Sequence, residues 1–166
     1  MKEILVGFIL IGLVIGFSSW FFPRLVITLD DSTPYRLYWR SGKDYFSKGD
    51  YVLVRAKGLA VSKGEFMTKR VLCVGGERVK RAGVDGREFY CCDEKGGNCV
   101  FLHRAKDRTF SGRRLEVYKI CEAIPCEARL NEDEVYLGTS HPDGYDSRYL
   151  GPFKRDEIIA VLRPIF

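Results

Sequence analysis

The chain has 166 residues, of which 46% are hydrophobic and 13% aromatic, and this supplies enough apolar material for one domain with a packed core. The composition excludes a disordered linker, a collagen-like rod and a low-complexity tail. The formal net charge is +5, from 27 basic and 22 acidic residues. Because the two signs are interspersed, the charge indicates a soluble surface and gives no reason to expect a nucleic acid partner.

An apolar segment begins the chain. Residues Ile4 to Phe22 occupy 19 positions without a charge, and a helix of roughly 20 apolar residues spans about 30 Å of hydrocarbon. A cleaved signal peptide has a shorter apolar core, about 7 to 15 residues, that ends in small residues. This segment instead ends in Trp20, Phe21 and Phe22, which is typical of an aromatic belt at a membrane surface. We therefore predict that residues 1–22 are an uncleaved transmembrane anchor.

The remainder is expected to be one domain outside the cytoplasm. Lys2 and Arg24 stand on the two sides of the apolar segment, so the positive-inside rule hardly discriminates between orientations. The six cysteines favour an oxidising compartment, where disulfides persist. No second apolar segment of spanning length, internal repeat or low-complexity linker follows Pro23. We predict one extracytoplasmic domain over residues 23–166.

This domain has the pattern of short strands. Segments rich in β-branched and aromatic residues alternate with Gly, Asp, Asn and Pro, which predicts an all-β domain with antiparallel or mixed sheets. Helical turns are expected only over Gly58–Lys63 and Lys154–Glu157, and residues 84–114 resemble a hairpin insertion. The predicted strands are Leu25–Leu29, Tyr51–Arg55, Arg70–Val74, Glu88–Cys92, Glu116–Ile120, Val135–Gly138 and Ile158–Leu162.

The cysteines favour disulfides over a metal site. Six cysteines allow 15 pairings, and the sequence does not choose among them. Short spacing favours Cys91 or Cys92 with Cys99 across a hairpin, and Cys121 with Cys126 around a small loop. A zinc site built from the first three of these cysteines and His103 would lack the paired C-x2-4-C spacing of structural zinc sites, so we predict no metal.

Histidine chemistry is weakly supported. A Ser-His-Asp triad could use His141 with Asp143 or Asp146, but Pro142 and Gly144 make this segment a loop whose simplest interpretation is a turn. The other hydroxyl candidate is Ser32, which follows a predicted strand. Pro34 fixes the backbone after it, so the turn can present the hydroxyl. An ordinary turn, with Thr33 as a cap, is the alternative.

Lys69 is the candidate base. Within Glu65–Val74, alternation puts Met67, Lys69, Val71 and Cys73 on one strand face, among apolar neighbours. A free lysine has a pKa of about 10.4, and a useful base at neutral pH needs a pKa roughly three units lower. Burial against apolar side chains lowers a lysine pKa by up to about 3 to 5 units. The alternative is a lysine on an edge strand whose amine reaches solvent.

The serine is expected to lie near the membrane. Ser32 is ten residues beyond Phe22, and an extended chain covers at most about 3.6 Å per residue, so the hydroxyl is within about 35 Å of the bilayer. The apolar segment Trp20–Leu29 favours contact of the domain with the lipid bilayer. A nucleophile placed there would act on membrane-bound substrates.

Four blocks of the sequence resemble one protein family. After the anchor, Ser32-Thr33-Pro34 with Leu37-Tyr38 is similar to an S-x-P-x-G-x-Y/W nucleophile block. Lys69-Arg70-Val71 is similar to a K-R-V block. Residues 138–152, GTSHPDGYDSRYLGP, resemble a G-D-N...S-x-D-S-R-Y-x-G-P block. In this order they resemble the type I signal peptidase family of serine-lysine proteases. The ending Val161–Phe166 resembles its conjugative-transfer branch, which matures pilin precursors.

The resemblance implies roles for individual residues. Ser32 would be the nucleophile and Lys69 the general base, with no metal or organic cofactor, and the Ser32 backbone N–H would form part of the oxyanion hole. Asp146, Ser147 and Arg148 would support the site, the aspartate and the arginine as an ion pair shaping its floor. The implied fold is an all-β domain with long coiled sheets and a flat apolar face on the membrane.

Several residues depart from the family's pattern. Arg36 replaces a common Gly, Glu77 replaces an Asp, and Thr139 begins T-S in place of D-N. Asp30 stands two residues before the nucleophile, where general signal peptidases have a hydroxyl that assists the oxyanion. Gly144 stands where those enzymes have a serine that contacts the lysine. Both departures favour a specialised peptidase.

The sequence therefore predicts a membrane-anchored Ser-Lys endopeptidase of the bacterial inner membrane, facing the periplasm, that cleaves leaders from exported precursors. A pilin precursor is the expected substrate, and proteins of a conjugative transfer apparatus are possible partners. A general type I signal peptidase and a non-catalytic, disulfide-stapled component of an export apparatus are the alternatives. A self-cleaving regulator fits the transmembrane helix poorly. Branch members pass the acyl group to water or to an amine, and both acceptors stay open.

Overall fold

The computed structural model describes residues 2–29, 33–57, 65–109, 111–121, 123–142 and 144–166. It begins with helix α1 (Lys2–Phe21), and the segment Ile4–Arg24 is long and apolar enough to cross a membrane, with a mean hydropathy of 2.4. The apolar side chains of α1 are exposed on all sides, as expected of a helix surrounded by lipid. A 3-10 turn (Phe22–Arg24) follows, in which Pro23 stands near the helix start, where its missing N–H has no cost.

Eleven strands and one short helix are described after α1. The short helix α2 spans Ser147–Leu150, and a 3-10 turn spans Arg155–Glu157. The strands are β1 (Leu25–Ile27), β2 (Leu37–Arg40), β3 (Tyr51–Arg55), β4 (Phe66–Val74), β5 (Arg78–Ala82), β6 (Glu88–Cys92), β7 (Cys99–Arg104), β8 (Cys126–Arg129), β9 (Glu134–Gly138), β10 (Phe153–Lys154) and β11 (Ile158–Pro164).

The strands form two antiparallel sheets. The large sheet has the order β1-β2-β11-β3-β4-β9-β10, and the small sheet has the order β7-β6-β5-β8. All strand pairs are antiparallel. The predicted all-β class with one N-terminal apolar helix is confirmed.

Two cores lie on opposite faces of β9. Tyr136 packs in the first core with Phe89 of the small sheet, whereas Val135 and Leu137 pack in the second core with Val52, because successive strand residues point to opposite faces. The segment 84–114, which resembles a hairpin insertion, contains the β6–β7 hairpin, and its Phe89 is fully buried. This segment therefore contributes to the first core.

The strand predictions were most accurate where β-branched and aromatic residues are dense. Tyr51–Arg55 and Glu88–Cys92 match β3 and β6, and the turn over Lys154–Glu157 is the second 3-10 turn with an offset of one residue. The strand predicted over Glu116–Ile120 is wrong. The Tyr118 N–H donates to the carbonyl oxygen of Arg148 at 2.8 Å, so this segment is extended coil against α2.

Charged or short segments explain the missed elements. The strands β5 and β8, in which charged residues are frequent, are not apparent from the hydrophobic pattern, and neither are β2 and the one-turn helix α2. The strand β7, which carries the apolar run Val100–Leu102, was also missed. The predicted turn Gly58–Lys63 lies outside the described residues.

Three disulfides connect the cysteines. The pairing of Cys92 with Cys99 and of Cys121 with Cys126 agrees with the favoured short-range pairings. The third disulfide, Cys73–Cys91, joins β4 of the large sheet to β6 of the small sheet. A β-bulge between Val71 and Cys73 turns Cys73 toward the first core, so the expectation that it shares a face with Met67, Lys69 and Val71 is wrong.

Removal of the intersheet disulfide should destabilise the domain more than removal of the hairpin disulfide. The sequence separations are 18 and 7 residues, and the loop-entropy model gives about 3 and about 2 kcal/mol of stabilisation, respectively. We expect a larger loss of unfolding free energy in Cys73→Ala/Cys91→Ala than in Cys92→Ala/Cys99→Ala, measured by urea unfolding of the full chain in detergent. Equal or reversed losses would contradict this account of the intersheet link.

Candidate active site

The loop that carries Ser32 is closed by the β1–β2 hairpin. The Thr28 N–H donates to the Arg36 carbonyl oxygen at 2.9 Å, and the Thr28 hydroxyl donates to the Tyr35 carbonyl oxygen at 3.0 Å. These bonds extend the β1–β2 ladder and close the chain around residues 29–35. Ser32 itself, like Asp30, lies outside the described residues.

Residues 33–36, which follow Ser32, form bends and no helix. Thr33 is buried, and its hydroxyl donates to the Tyr35 carbonyl oxygen at 3.1 Å. Pro34 therefore does not occupy the first position of a helix. The alternative interpretation, in which Thr33 caps a helical turn that begins at Pro34, required this position.

Lys69 lies in the interior of the large sheet. Its side chain is only 2% exposed, and its neighbours Met67 and Val71 on the same face are buried. It stands opposite Val52 of β3, which belongs to the second core. Because β4 is paired on both edges, by β3 and β9, Lys69 is not an edge-strand lysine with a solvated amine. The expected apolar surroundings of this residue are present.

An aromatic contact joins Tyr35, which follows the Ser32 segment, to β3, the strand paired with β4. The ring of Tyr35 lies edge-on to the ring of Tyr51, with 5.7 Å between centroids. Tyr51 stands opposite Arg70, the residue that follows Lys69, and the guanidinium carbon of Arg70 is 6.0 Å from the Tyr51 ring centroid. Tyr35, three residues after Ser32, therefore packs on the face of the β3–β4 pair that carries Tyr51 and Arg70, and Lys69 points to the opposite face.

Asp146 and Arg148 form a buried, two-pronged ion pair. Arg148 Nε donates to Asp146 Oδ1 at 2.8 Å and Nη2 donates to Oδ2 at 2.9 Å, and both side chains are essentially inaccessible to solvent. Burial lowers the pKa of Arg148, but the hydrogen bonds and charge of Asp146 outweigh this effect and raise it above the ordinary value. The predicted ion pair is present, and its guanidinium also donates to three backbone carbonyls, of Arg104, Pro142 and Gly144.

Asp146 and Ser147 also fix the end of β9. Asp146 caps α2 by accepting from the Arg148 N–H at 3.0 Å, and it accepts from the Thr139 N–H at 3.1 Å. The Ser147 hydroxyl oxygen accepts from the Leu137 N–H at 2.9 Å. Asp146, Ser147 and Arg148 therefore hold backbone groups of the neighbouring segments in place.

Thr139 occupies the space that a side chain at position 144 would need. A Cβ built on Gly144 would overlap Thr139 Oγ1, so the glycine is required by the packing of the threonine. Arg70 stands opposite Gly138, and continuing this register by one residue puts Thr139 beside Lys69. The sequence marked both positions as departures from the family's pattern but gave no signal that they are coupled.

His103 and Tyr136 form a neutral pair next to the ion pair. His103 Nε2 lies 3.4 Å from the Tyr136 hydroxyl. Burial lowers the pKa of His103 to about 4. The negative charge of Asp146 raises this pKa, and the positive charge of Arg148 lowers it. Burial also raises the pKa of Tyr136 well above its usual value. Both groups are uncharged at neutral pH. His103 makes no zinc site with its neighbouring cysteines, whose sulfurs form disulfides.

A cleft of about 900 Å³ opens beside these residues. Its lining includes Pro34, Arg70 and Thr139 from the large-sheet side, and β7 with residues 105–108 from the small-sheet side. Sequence reasoning missed this cleft because β7 and the segment after it carry no hydrophobic alternation that would predict a wall.

Comparison with known proteins identifies a family and related solved structures. Residues 2–166 match the family model described as signal peptidase, peptidase S26. No curated protein sequence matches the chain. The crystal structure of a signal peptidase I from Enterococcus faecalis V583 is similar, with 21% sequence identity over 72% of this chain and 97% of that chain and a TM-score of 0.41.

Loss of the Asp146 charge should destabilise the protein strongly. In Asp146→Asn, Arg148 keeps a buried positive charge without its counter-charge, and removing one partner of a buried pair costs about 3 to 5 kcal/mol. We expect a loss of this size in the free energy of unfolding, measured by urea denaturation.

Two controls test the physical cause. Glu132→Gln removes an exposed ion pair with Arg129. The side chain of Glu132 is 82% accessible and that of Arg129 is 55% accessible, so the loss should be less than about 1 kcal/mol. Asp146→Leu/Arg148→Met should be more stable than Asp146→Asn, because no uncompensated charge is left. A double variant as unstable as Asp146→Asn would contradict the charge explanation.

His103 should make the folded state sensitive to acid. The unfolded chain binds a proton at His103 near pH 6.5, whereas the folded protein binds it only near pH 4. The stabilisation is therefore complete above about pH 6.5 and is lost as the pH falls toward 4, by up to about 3 kcal/mol. We expect the unfolding free energy of His103→Gln to decrease less between pH 7 and pH 4 than that of the wild type. Parallel pH dependences would contradict the assignment.

Proposed function

The chain belongs to the signal peptidase family, peptidase S26, and on that premise we propose that Ser32 is its nucleophile and Lys69 its general base. Family membership makes it a serine peptidase that removes signal peptides from exported precursors. The observation that supports the dyad is the burial of Lys69 among apolar side chains, in a strand pair that Tyr35, three residues after Ser32, contacts through Tyr51. An apolar surrounding favours the neutral amine that a lysine base requires.

The proposed reaction has two acyl-transfer steps. The neutral Lys69 amine takes the Ser32 hydroxyl proton while Oγ attacks the carbonyl carbon of the small residue that precedes the scissile bond. The C–N bond then breaks, and Lys69 returns the proton to the leaving amine, which leaves an ester on Ser32. Water activated by the same amine hydrolyses the ester. The Ser32 backbone N–H is proposed to donate to the oxyanion.

Asp146, Ser147 and Arg148 are proposed as positioning residues. The carboxylate and the guanidinium bond each other and backbone groups, so a proton-carrying role would disrupt several bonds. Asp146 holds the Thr139 N–H, and Thr139 is the residue that the register of β9 brings beside Lys69. The trio is therefore proposed to fix the wall next to the base.

The substrate and location are proposed from the sequence blocks and the disulfides. We propose that residues 1–22 anchor the chain in the bacterial inner membrane and that residues 23–166, with a hairpin insertion at 84–114, face the periplasm. Three disulfides support an oxidising compartment. The block at 138–152 resembles the family's block, and the ending Val161–Phe166 resembles the conjugative branch. The ending supports a pilin precursor as the substrate, with transfer-apparatus proteins as partners.

Cleavage of leader-bearing precursors should require both residues of the dyad. We expect Ser32→Ala and Lys69→Met to lower the cleavage rate of a pilin precursor by at least about a hundredfold, because general base catalysis contributes about 10² to 10⁴. Cleavage is measured by gel shift in membranes that carry the full chain. Methionine has a length similar to lysine and is apolar, so it fits between Met67 and Val71.

Matched controls separate chemistry from folding. Ser111→Ala and Lys95→Met change exposed residues of the same types and should cleave at the wild-type rate. Membrane accumulation and formation of the three disulfides are checked in every variant. If folded Ser32→Ala and Lys69→Met cleave as fast as the wild type, the dyad is wrong and a non-catalytic role in an export apparatus replaces it.

A further inference from the structure

We propose that the cleft between the two sheets binds the part of the precursor that follows the scissile bond, and that it selects carboxylate side chains in that part. This inference rests on the proposed function and adds a substrate preference to it. It is carried by the position of the cleft, its charges and the distribution of apolar surface around the Ser32 loop.

The cleft begins next to the proposed nucleophile. Pro34, which lines it, is two residues after Ser32, so its Cα lies within about 7 Å of the Ser32 Cα. Tyr51, which contacts Tyr35, and Arg70, which contacts Tyr51, line it as well. Its volume of about 900 Å³ falls in the range of pockets that enclose small molecules and accommodates a short extended peptide.

The lining is predominantly basic. Two carboxylates contribute to it, those of Asp85 and Asp107. Six cationic residues contribute to it, namely Arg70, Arg87, Arg104, Lys106, Arg108 and Arg148.

Some of these cations are already neutralised by neighbouring carboxylates. Arg148 is held by Asp146, and Arg87 pairs with Asp107 at 2.6 Å. Arg104 pairs with Asp85 at 2.6 Å and also with a glutamate of β6. These pairs account for both carboxylates of the lining.

Arg70 and Arg108 differ from the other arginines of the cleft. Arg70 Nε donates to the Gly49 carbonyl oxygen at 3.2 Å, and Arg108 Nη1 donates to the Gly112 carbonyl oxygen at 3.2 Å. Both side chains are exposed, and within the described part of the chain neither forms an ion pair. A planar guanidinium with remaining N–H donors matches a carboxylate.

The surface near the Ser32 loop has an apolar side and a charged side, which suit the two parts of a precursor. On the side toward α1, Phe22, Ile27 and Leu29 expose apolar side chains, Leu29 by 93%. An apolar leader in the membrane is compatible with this side. The charged cleft is lined by residues of β4, β7 and the segment after β9, and no residue of α1 lines it. The polar part of the precursor, which follows the scissile bond, is therefore matched in charge to the cleft.

The test uses three synthetic precursors and the full chain in uncharged phosphatidylcholine vesicles. Each precursor has the same apolar leader ending in Ala-Gln-Ala, and its second and fourth residues after the cleavage point are both Glu, both Gln or both Lys. We expect kcat/KM to be about five- to tenfold higher for Glu than for Gln at low salt, through KM, and lower for Lys. The preference should shrink in about 0.5 M salt because exposed charges are screened.

A charge reversal distinguishes recognition from misfolding. Arg108→Glu should reverse the order, so that the Lys precursor is cleaved better than the Glu precursor, a gain that a damaged fold does not produce. Arg55→Gln removes an exposed charge at the far end of β3, outside the cleft lining, and should keep the wild-type preference.

The outcomes separate the two proposals. Cleavage of all three precursors at equal kcat/KM at low salt overturns the cleft proposal and leaves the peptidase assignment intact. A preference that persists in Arg108→Glu also overturns it. If the wild type cleaves none of the three, the proposed function fails and the cleft proposal fails with it.

Discussion

The ion pair between Asp146 and Arg148 is the interaction on which the architecture around the site depends. A buried guanidinium requires a matched carboxylate and partners for its remaining N–H groups, and here they come from three segments of the chain. The Arg104 carbonyl at the end of β7 belongs to the small sheet, whereas the Thr139 N–H follows β9 of the large sheet. The pair therefore holds the two sheets together at the cleft, and the Cys73–Cys91 disulfide joins them again through β4 and β6.

This constraint bears on catalysis through position. Lys69 is buried in a strand that is paired on both edges, and its side chain is covered by neighbouring residues. Thr139, which the register of β9 brings beside Lys69, is held by Asp146 and packs against Gly144. The arrangement accounts for the glycine at position 144, since any side chain there would displace the threonine. A proposed Ser-Lys peptidase therefore combines a rigid base with a nucleophile on a loop that is closed by hydrogen bonds at Thr28.

The sequence predicted those features that depend on local pattern. The apolar helix, the strand of Lys69 and the two short-range disulfides follow from composition, alternation and spacing, and the structure contains all of them. The intersheet disulfide, the bulge at Cys73 and the Thr139–Gly144 contact depend on residues far apart in space or on a register shift, which alternation does not encode. The basic cleft was missed for the same reason, because its wall, to which β7 contributes Arg104, forms only when the sheets meet.

The most direct test of the central claim, that Ser32 forms the acyl-enzyme and that Lys69 activates it, is an acid-quench experiment. A single turnover of a leader-bearing precursor is stopped with acid, which preserves the ester, and the enzyme is digested and mapped by mass spectrometry. The account predicts an acyl group on Ser32 in the wild type and its absence in Lys69→Met over the same time. An acyl group on another residue, or equal acylation of Ser32 in Lys69→Met, would contradict it.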